Sequence, residues 1–161
     1  MLELIVALIA TAIISSVISP FIRVQILSYT KVRNGKEVVQ SSRIGMRRFV
    51  AELQQVQVST EIDRSESTRI QFDTPSQNNI RYTYNSTYQE LRRGINSEGD
   101  THVYGVQSFR LRYYDKNDND IGTSSSSRSN IWKIQIDMTV GDGTDNYRIR
   151  TDVSPKPFHY N

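Results

Sequence analysis

The chain has 161 residues, with 20 basic side chains against 17 acidic ones, a net charge of +3 and no cysteine. That length holds one domain plus a short extra element and argues against a two-domain enzyme; without thiols there is neither a disulfide framework nor a thiolate metal site. Fifteen of the basic residues are arginine, a bias that suits planar, bidentate contacts with carboxylates or phosphates better than a diffuse lysine coat.

The first element is apolar. Leu4 to Val17 reads LIVALIATAIISSV, and Ile18, Phe21 and Ile22 continue the run past Ser19 and Pro20. As a helix, Met1 to Ile22 reaches roughly 30 Å, about the thickness of a bilayer's hydrocarbon core. The run lacks the basic flank and the small-x-small site of a secretory signal, so a membrane anchor is expected. Glu3 is out of place in it, because an ionisable group in hydrocarbon costs several kcal/mol. Either the positive end of its own helix stabilises it, or the N-terminal amine of a neighbouring subunit does. Pro20 lacks a backbone N–H, so it either kinks the helix or ends the span.

A polar stretch, Lys31 to Glu37, follows, and its Asn34-Gly35 pair permits a turn or break. A helical pattern then resumes. Met46, Phe49, Val50, Leu53 and Val56 recur at steps of three and four and define one face, with Arg47, Arg48, Glu52, Gln54 and Gln55 on the other. The apolar stripe is expected to pack on a sheet and the polar face to meet water.

Beyond it the period becomes two. Ile70 and Phe72, then Ile80, Tyr82 and Tyr84, then Phe109, Leu111 and Tyr113 alternate with polar residues, as do Trp132 to Val140 and Tyr147 to Val153. Five or more strands are expected. Turn signals at Thr74-Pro75-Ser76, Asn85-Ser86-Thr87, Asp115 to Asp120 and Gly141-Asp142-Gly143 favour an antiparallel meander. The alternation puts Arg69, Arg81, Arg110, Arg112, Arg148 and Arg150 opposite the apolar residues. A solvated face is the plain reading; contact with an acidic subunit or nucleic acid is the sharper one.

No active site is expected. His102 and His159 are the two histidines, with no metal-ligand spacing, nucleophile elbow or phosphate loop around them, and no cofactor is implied. Asp115, Asn117 and Asn119 alternate like calcium ligands, but the run lacks the glycine and glutamate of a calcium-binding loop, so a polar hairpin is the better reading. Asn85-Ser86-Thr87 is a formal glycosylation sequon, and Ser124 to Ser127 reads as a surface loop.

Met1-Leu2-Glu3-Leu4-Ile5-Val6-Ala7-Leu8, with Pro20 standing 17 residues after Glu3, resembles the N-terminus of mature type IV pilins and type II secretion pseudopilins. That family normally starts with an N-methylated phenylalanine or similar residue four positions before the glutamate. Here two residues precede Glu3, so the first two mature residues and the prepilin leader are expected to lie outside this sequence. Ile80-Arg81-Tyr82-Thr83-Tyr84, Leu91-Arg92-Arg93, Phe109 to Asp115 and Thr151 to Pro155 are similar to W-type minor pilins and J-type minor pseudopilins. The resemblance implies an α+β fold, with a long N-terminal α-helix packed on an antiparallel β-sheet head. Residues 1–30 would be the membrane and filament-core helix; residues 31–161 would be the soluble head, with an amphipathic helix over about 40–62. It further implies a minor, initiating or tip subunit used in adhesion, motility, DNA uptake or secretion. Such a subunit is held single-pass in the bacterial inner membrane, then incorporated into an extracellular pilus or periplasmic pseudopilus. Its partners would be other pilin subunits, with Glu3 and Pro20 as assembly residues. Two further readings stand beside this one: a pilin that takes up DNA through its arginine face, and an anchored sensor or binding domain without a filament.

Overall fold

The computed structural model describes residues 2–57, 61–97, 99–123, 130–141 and 145–155. His159, the Ser124 to Ser127 run and the Asp142-Gly143 turn lie outside them. The chain divides into two compact units, Met1–Glu37 and Val38–Asn161. One helix, α1 (Leu2–Leu53), runs through both with Pro20 inside it. The break allowed at Asn34-Gly35 does not occur, and the helix stops at Leu53, well before residue 62. A single glycine lowers helix propensity by about 1 kcal/mol, too little to interrupt so many continuous turns.

In the second unit the helix faces eight strands. β1 (Ile62–Ser65), β2 (Arg69–Thr74), β3 (Gln77–Asn85), β4 (Glu90–Ile95) and β5 (Asp100–Tyr104) form one sheet in chain order, and β6 (Val106–Tyr114), β7 (Lys133–Gly141) and β8 (Asn146–Val153) form another. All neighbours are antiparallel, so the fold is α+β, a helix packed on antiparallel sheets. The meander is thus real but split in two. Gly105 is the single residue between β5 and β6 and has φ +69, a left-handed conformation that side chains other than glycine's resist. Its carbonyl accepts a hydrogen bond from the Gly141 N–H at 2.9 Å. This pivot moves the chain out of one sheet and into the next, a geometry that the alternation on either side does not encode.

The core lies between the helix and both sheets. Met46, Phe49 and Leu53 are buried from the helix, Ile70, Phe72, Ile80, Tyr82 and Leu91 from the first sheet, and Phe109, Leu111, Tyr113, Ile134, Ile136 and Met138 from the second. Phe49 bridges them, its ring centroid 4.0 Å from that of Tyr82 and 6.2 Å from that of Phe109; the second separation is one at which aromatic pairs add about 0.5–1.5 kcal/mol beyond burial. Gly45 lets the helix approach β5: a Cβ there would stand 2.3 Å from Val103 Cγ2. The sheets are joined by the Leu111 N–H donating to the Ser67 carbonyl at 2.7 Å and by the Tyr113 hydroxyl donating to the Glu66 carbonyl at 2.9 Å. Trp132, expected in a strand, precedes β7 and is half-buried; its backbone N–H donates to the Tyr114 carbonyl.

Candidate functional site

The first unit is a stretch of helix whose described apolar side chains are exposed. Leu2, Leu4, Ile5, Val6, Leu8, Ile9, Ile13 and Ile14 are all more than half exposed, and Phe21, Ile22, Leu27 and Val32 extend the same surface. By length and composition this segment could cross a membrane. Its hydroxyls suit that solvent. Thr11 donates to the carbonyls of Ala7 and Leu8, Ser16 to Ile13, and Thr30 to Ile26, so each satisfies itself on its own helix where no water would be available. Glu3 occupies the first turn, where the helix dipole favours a carboxylate by about 0.3–1 kcal/mol. Pro20 sits within the helix and cannot donate to the Ser16 carbonyl, which leaves a weak point in the ladder without ending it.

In the second unit, a charged cluster ties the helix to the first sheet. Glu52, expected on the solvent face, instead accepts from the Tyr82 hydroxyl at 2.8 Å, from Arg93 Nε at 3.0 Å to each oxygen, and from Arg48 Nε at 3.0 Å. Arg93 also donates to Gln77 Oε1 at 2.9 Å. Burial works to raise the Glu52 pKa, but the hydrogen bonds from Arg93, Tyr82 and Arg48 outweigh it and hold the carboxyl below its ordinary range. Beside it, His102 Nε2 lies 3.0 Å from the Gly45 carbonyl; burial depresses its pKa, the Gly45 carbonyl partly opposes this, and the Arg48 charge adds to the depression. Helical periodicity assigned Glu52 to the wrong side because it lies at the margin of the apolar stripe, where only the presence of Arg93 across the gap decides its direction.

The six arginines expected on one sheet face belong to two sheets. Arg69 and Arg81 lie on β2 and β3 and are half-buried. Arg81 donates to Gln71 Oε1 at 3.2 and 3.0 Å, and Arg69 Nε is buried without a hydrogen-bond partner among the described residues. Arg110, Arg112, Arg148 and Arg150 lie on β6 and β8 and are exposed. Arg148 forks onto Asp137, with Nε donating to Oδ1 at 2.8 Å and Nη2 to Oδ2. The hydrogen bonds from Arg148, assisted by its charge, outweigh burial and keep the Asp137 carboxyl below its ordinary range.

Asp115, Asn117 and Asn119 form a closed hairpin loop. Asp115 Oδ1 accepts the backbone N–H groups of Asn117 and Asn119 at 2.8 and 2.9 Å, and Oδ2 accepts the Asn119 side-chain amide at 3.0 Å. The carboxylate is thereby engaged in holding the turn, and the described residues contain no cluster of three or more His, Cys, Asp or Glu able to hold a metal. Asn85 of the sequon likewise caps its own turn, accepting the N–H groups of Thr87 and Tyr88.

No protein-family model matches the chain, and no curated protein matches it.

Proposed function

We propose that this chain is a structural, non-catalytic subunit of a type IV pilus or type II secretion pseudopilus, of the minor kind that initiates or tips a filament. On this reading it waits single-pass in the bacterial inner membrane and enters an extracellular pilus or periplasmic pseudopilus by packing its N-terminal helix against those of neighbouring subunits. The observation that carries the proposal is the exposed apolar surface from Leu2 to Val32, with Glu3 in its first turn and Pro20 inside it. Such a surface needs lipid or other helices to cover it. A carboxylate among them costs several kcal/mol unless a positive group meets it. In a filament that group is the N-terminal end of the neighbouring helix, so Glu3 would favour the assembled state over the isolated one. Pro20, by removing one hydrogen bond, allows the helix to adjust where subunits crowd.

The test is Glu3→Gln in cells, with the variant's membrane level measured beside its content in sheared or purified filaments. The expected outcome is an unchanged membrane level with loss from filaments. Normal entry of the variant into filaments would remove the role assigned to Glu3, and absence of the wild-type chain from every filament preparation would leave an anchored head domain instead.

A further inference from the structure

The outward side of the β6–β8 sheet carries charge that its own acceptors do not use up. Directly opposed residues of an antiparallel ladder share a face. Arg110 opposes Asp137, which opposes Arg150; Arg112 opposes Gln135, which opposes Asp152; and Arg148 lies in the next row, opposite Thr139. All four arginines therefore emerge on one side. The acceptors between them are engaged from β8. Arg148 takes both oxygens of Asp137, Arg150 donates to Gln135 Oε1 at 2.6 Å, and the Gln135 amide donates to Asp152 at 2.9 Å. Arg110 and Arg112, exposed and two residues apart on β6, make no hydrogen bond or ion pair among the described residues. Their Cα atoms stand roughly 7 Å apart, given the rise of an extended strand.

We propose that this face binds the sugar–phosphate backbone of double-stranded nucleic acid. Arg110 and Arg112 would contact phosphates directly, and Arg148 and Arg150, held by Asp137 and Gln135, would supply the flanking positive charge. Four guanidinium groups here meet two carboxylates, on a chain whose whole net charge is +3. The chemistry of the face selects among polyanions. Protein interfaces combine arginine with aromatic anchors seated in desolvated pockets, and these rows set their arginines among glutamine, aspartate, serine and threonine, with no apolar centre. Single strands need exposed rings to stack bases. The aromatic residue at the end of this row, Tyr114, is half-buried, and the Lys133 ammonium lies 4.7 Å from its ring centroid. A duplex needs neither feature, since it presents one negative charge per roughly 1.7 Å and is held by phosphate contacts alone. Binding of this kind is independent of base sequence. The surface lies within the head and does not depend on filament entry.

The test is fluorescence anisotropy of a labelled mixed-sequence duplex against the full chain in non-ionic detergent, over a series of salt concentrations. Arg110→Gln with Arg112→Gln is compared with Arg43→Gln and Arg47→Gln, an exposed helical pair that removes the same charge elsewhere; circular dichroism melts check that both variants stay folded. The expected result is that the β6 variant binds more weakly and its slope of log K against log salt is shallower by about 2, at about 0.9 per phosphate contact, while the helical variant keeps the wild-type slope. Equal losses in the two variants would mean that binding follows net charge and would overturn the proposal. So would displacement of the duplex by poly-glutamate at equal charge concentration, which assigns the face to an acidic protein, or no binding at low salt.

Discussion

Replacing Glu52 by leucine should detach the helix from the first sheet more than any surface substitution does. The Glu52 and Arg93 side chains are 13% and 11% exposed, so the ion pair is largely out of water, and breaking a buried pair from one side costs about 3–5 kcal/mol. Arg93 keeps its bond to Gln77 and some access to solvent, which places its share at the lower end, about 3 kcal/mol. The orphaned Tyr82 hydroxyl adds about 1 kcal/mol. Arg48, with a side chain 55% exposed, contributes under about 0.5 kcal/mol. The sum is about 4 kcal/mol, or a fall of roughly 15 °C in the melting temperature of a head this size. Thermal unfolding of the full chain in detergent, followed by circular dichroism, measures it, with Arg48→Ala as the small-effect control. Combining Glu52→Leu with Arg93→Met should recover much of the loss, because no unpaired charge then stays buried. A Glu52→Leu penalty below about 1 kcal/mol, or a double variant as unstable as the sum of its parts, would refute the claim that this cluster anchors the helix.

The same glycine-to-alanine change should have opposite signs at two places in α1. At Gly45 the new Cβ meets the buried Val103 at 2.3 Å, and overpacking of about 1–3 kcal/mol exceeds the helix-propensity gain of about 1 kcal/mol; at Gly35 nothing lies within 4 Å, so the gain stands, and melting curves with amide exchange along the helix read both. Stability should fall as the solution is acidified, in two steps. The pKa of His102 is lowered from its ordinary 6.5, so its contribution is complete above that value and is lost as pH falls through the lower folded-state value. The Glu52 pKa is lowered from 4.5, so its contribution is complete above 4.5 and is lost as pH falls through its own depressed value. Melts from neutral to acid pH check this, and His102→Gln should remove the upper step while leaving the lower one. Calcium should leave the melting temperature unchanged, whereas Asp115→Ala should lower it through loss of the turn's hydrogen bonds; a calcium-dependent rise abolished by Asp115→Ala would contradict that account of the loop.

Much of this protein follows from local pattern. Eleven uncharged residues from Leu4 to Ile14 need an apolar surrounding whatever the rest of the chain does. The alternation of Ile70 with Phe72, of Ile80 with Tyr82, and of Phe109, Leu111 and Tyr113 already determines which side of each strand is buried, because the pleat has a period of two. The turn after Thr74 is equally local, closed by the Thr74 hydroxyl on the Gln77 N–H and carbonyl. β4 and β5 carry weaker signals, since Arg92, Arg93 and Gly94 interrupt the apolar rhythm and Asp100 to Tyr104 is short.

What the tertiary structure decided concerns partners distant in the chain. Strand alternation says which residues face inward but not which strands share a sheet, so Gly105's left-handed pivot separated Arg69 and Arg81 from the four arginines of β6 and β8. Glu52 became an anchor because Arg93, 41 residues away, stands across from it. Arg110 and Arg112 make no hydrogen bond or ion pair among the described residues, where the acceptors of β7 are engaged from β8. Side-chain direction and burial are set within a few residues by backbone geometry, whereas the choice of partner for a charge depends on which strand folding brings alongside.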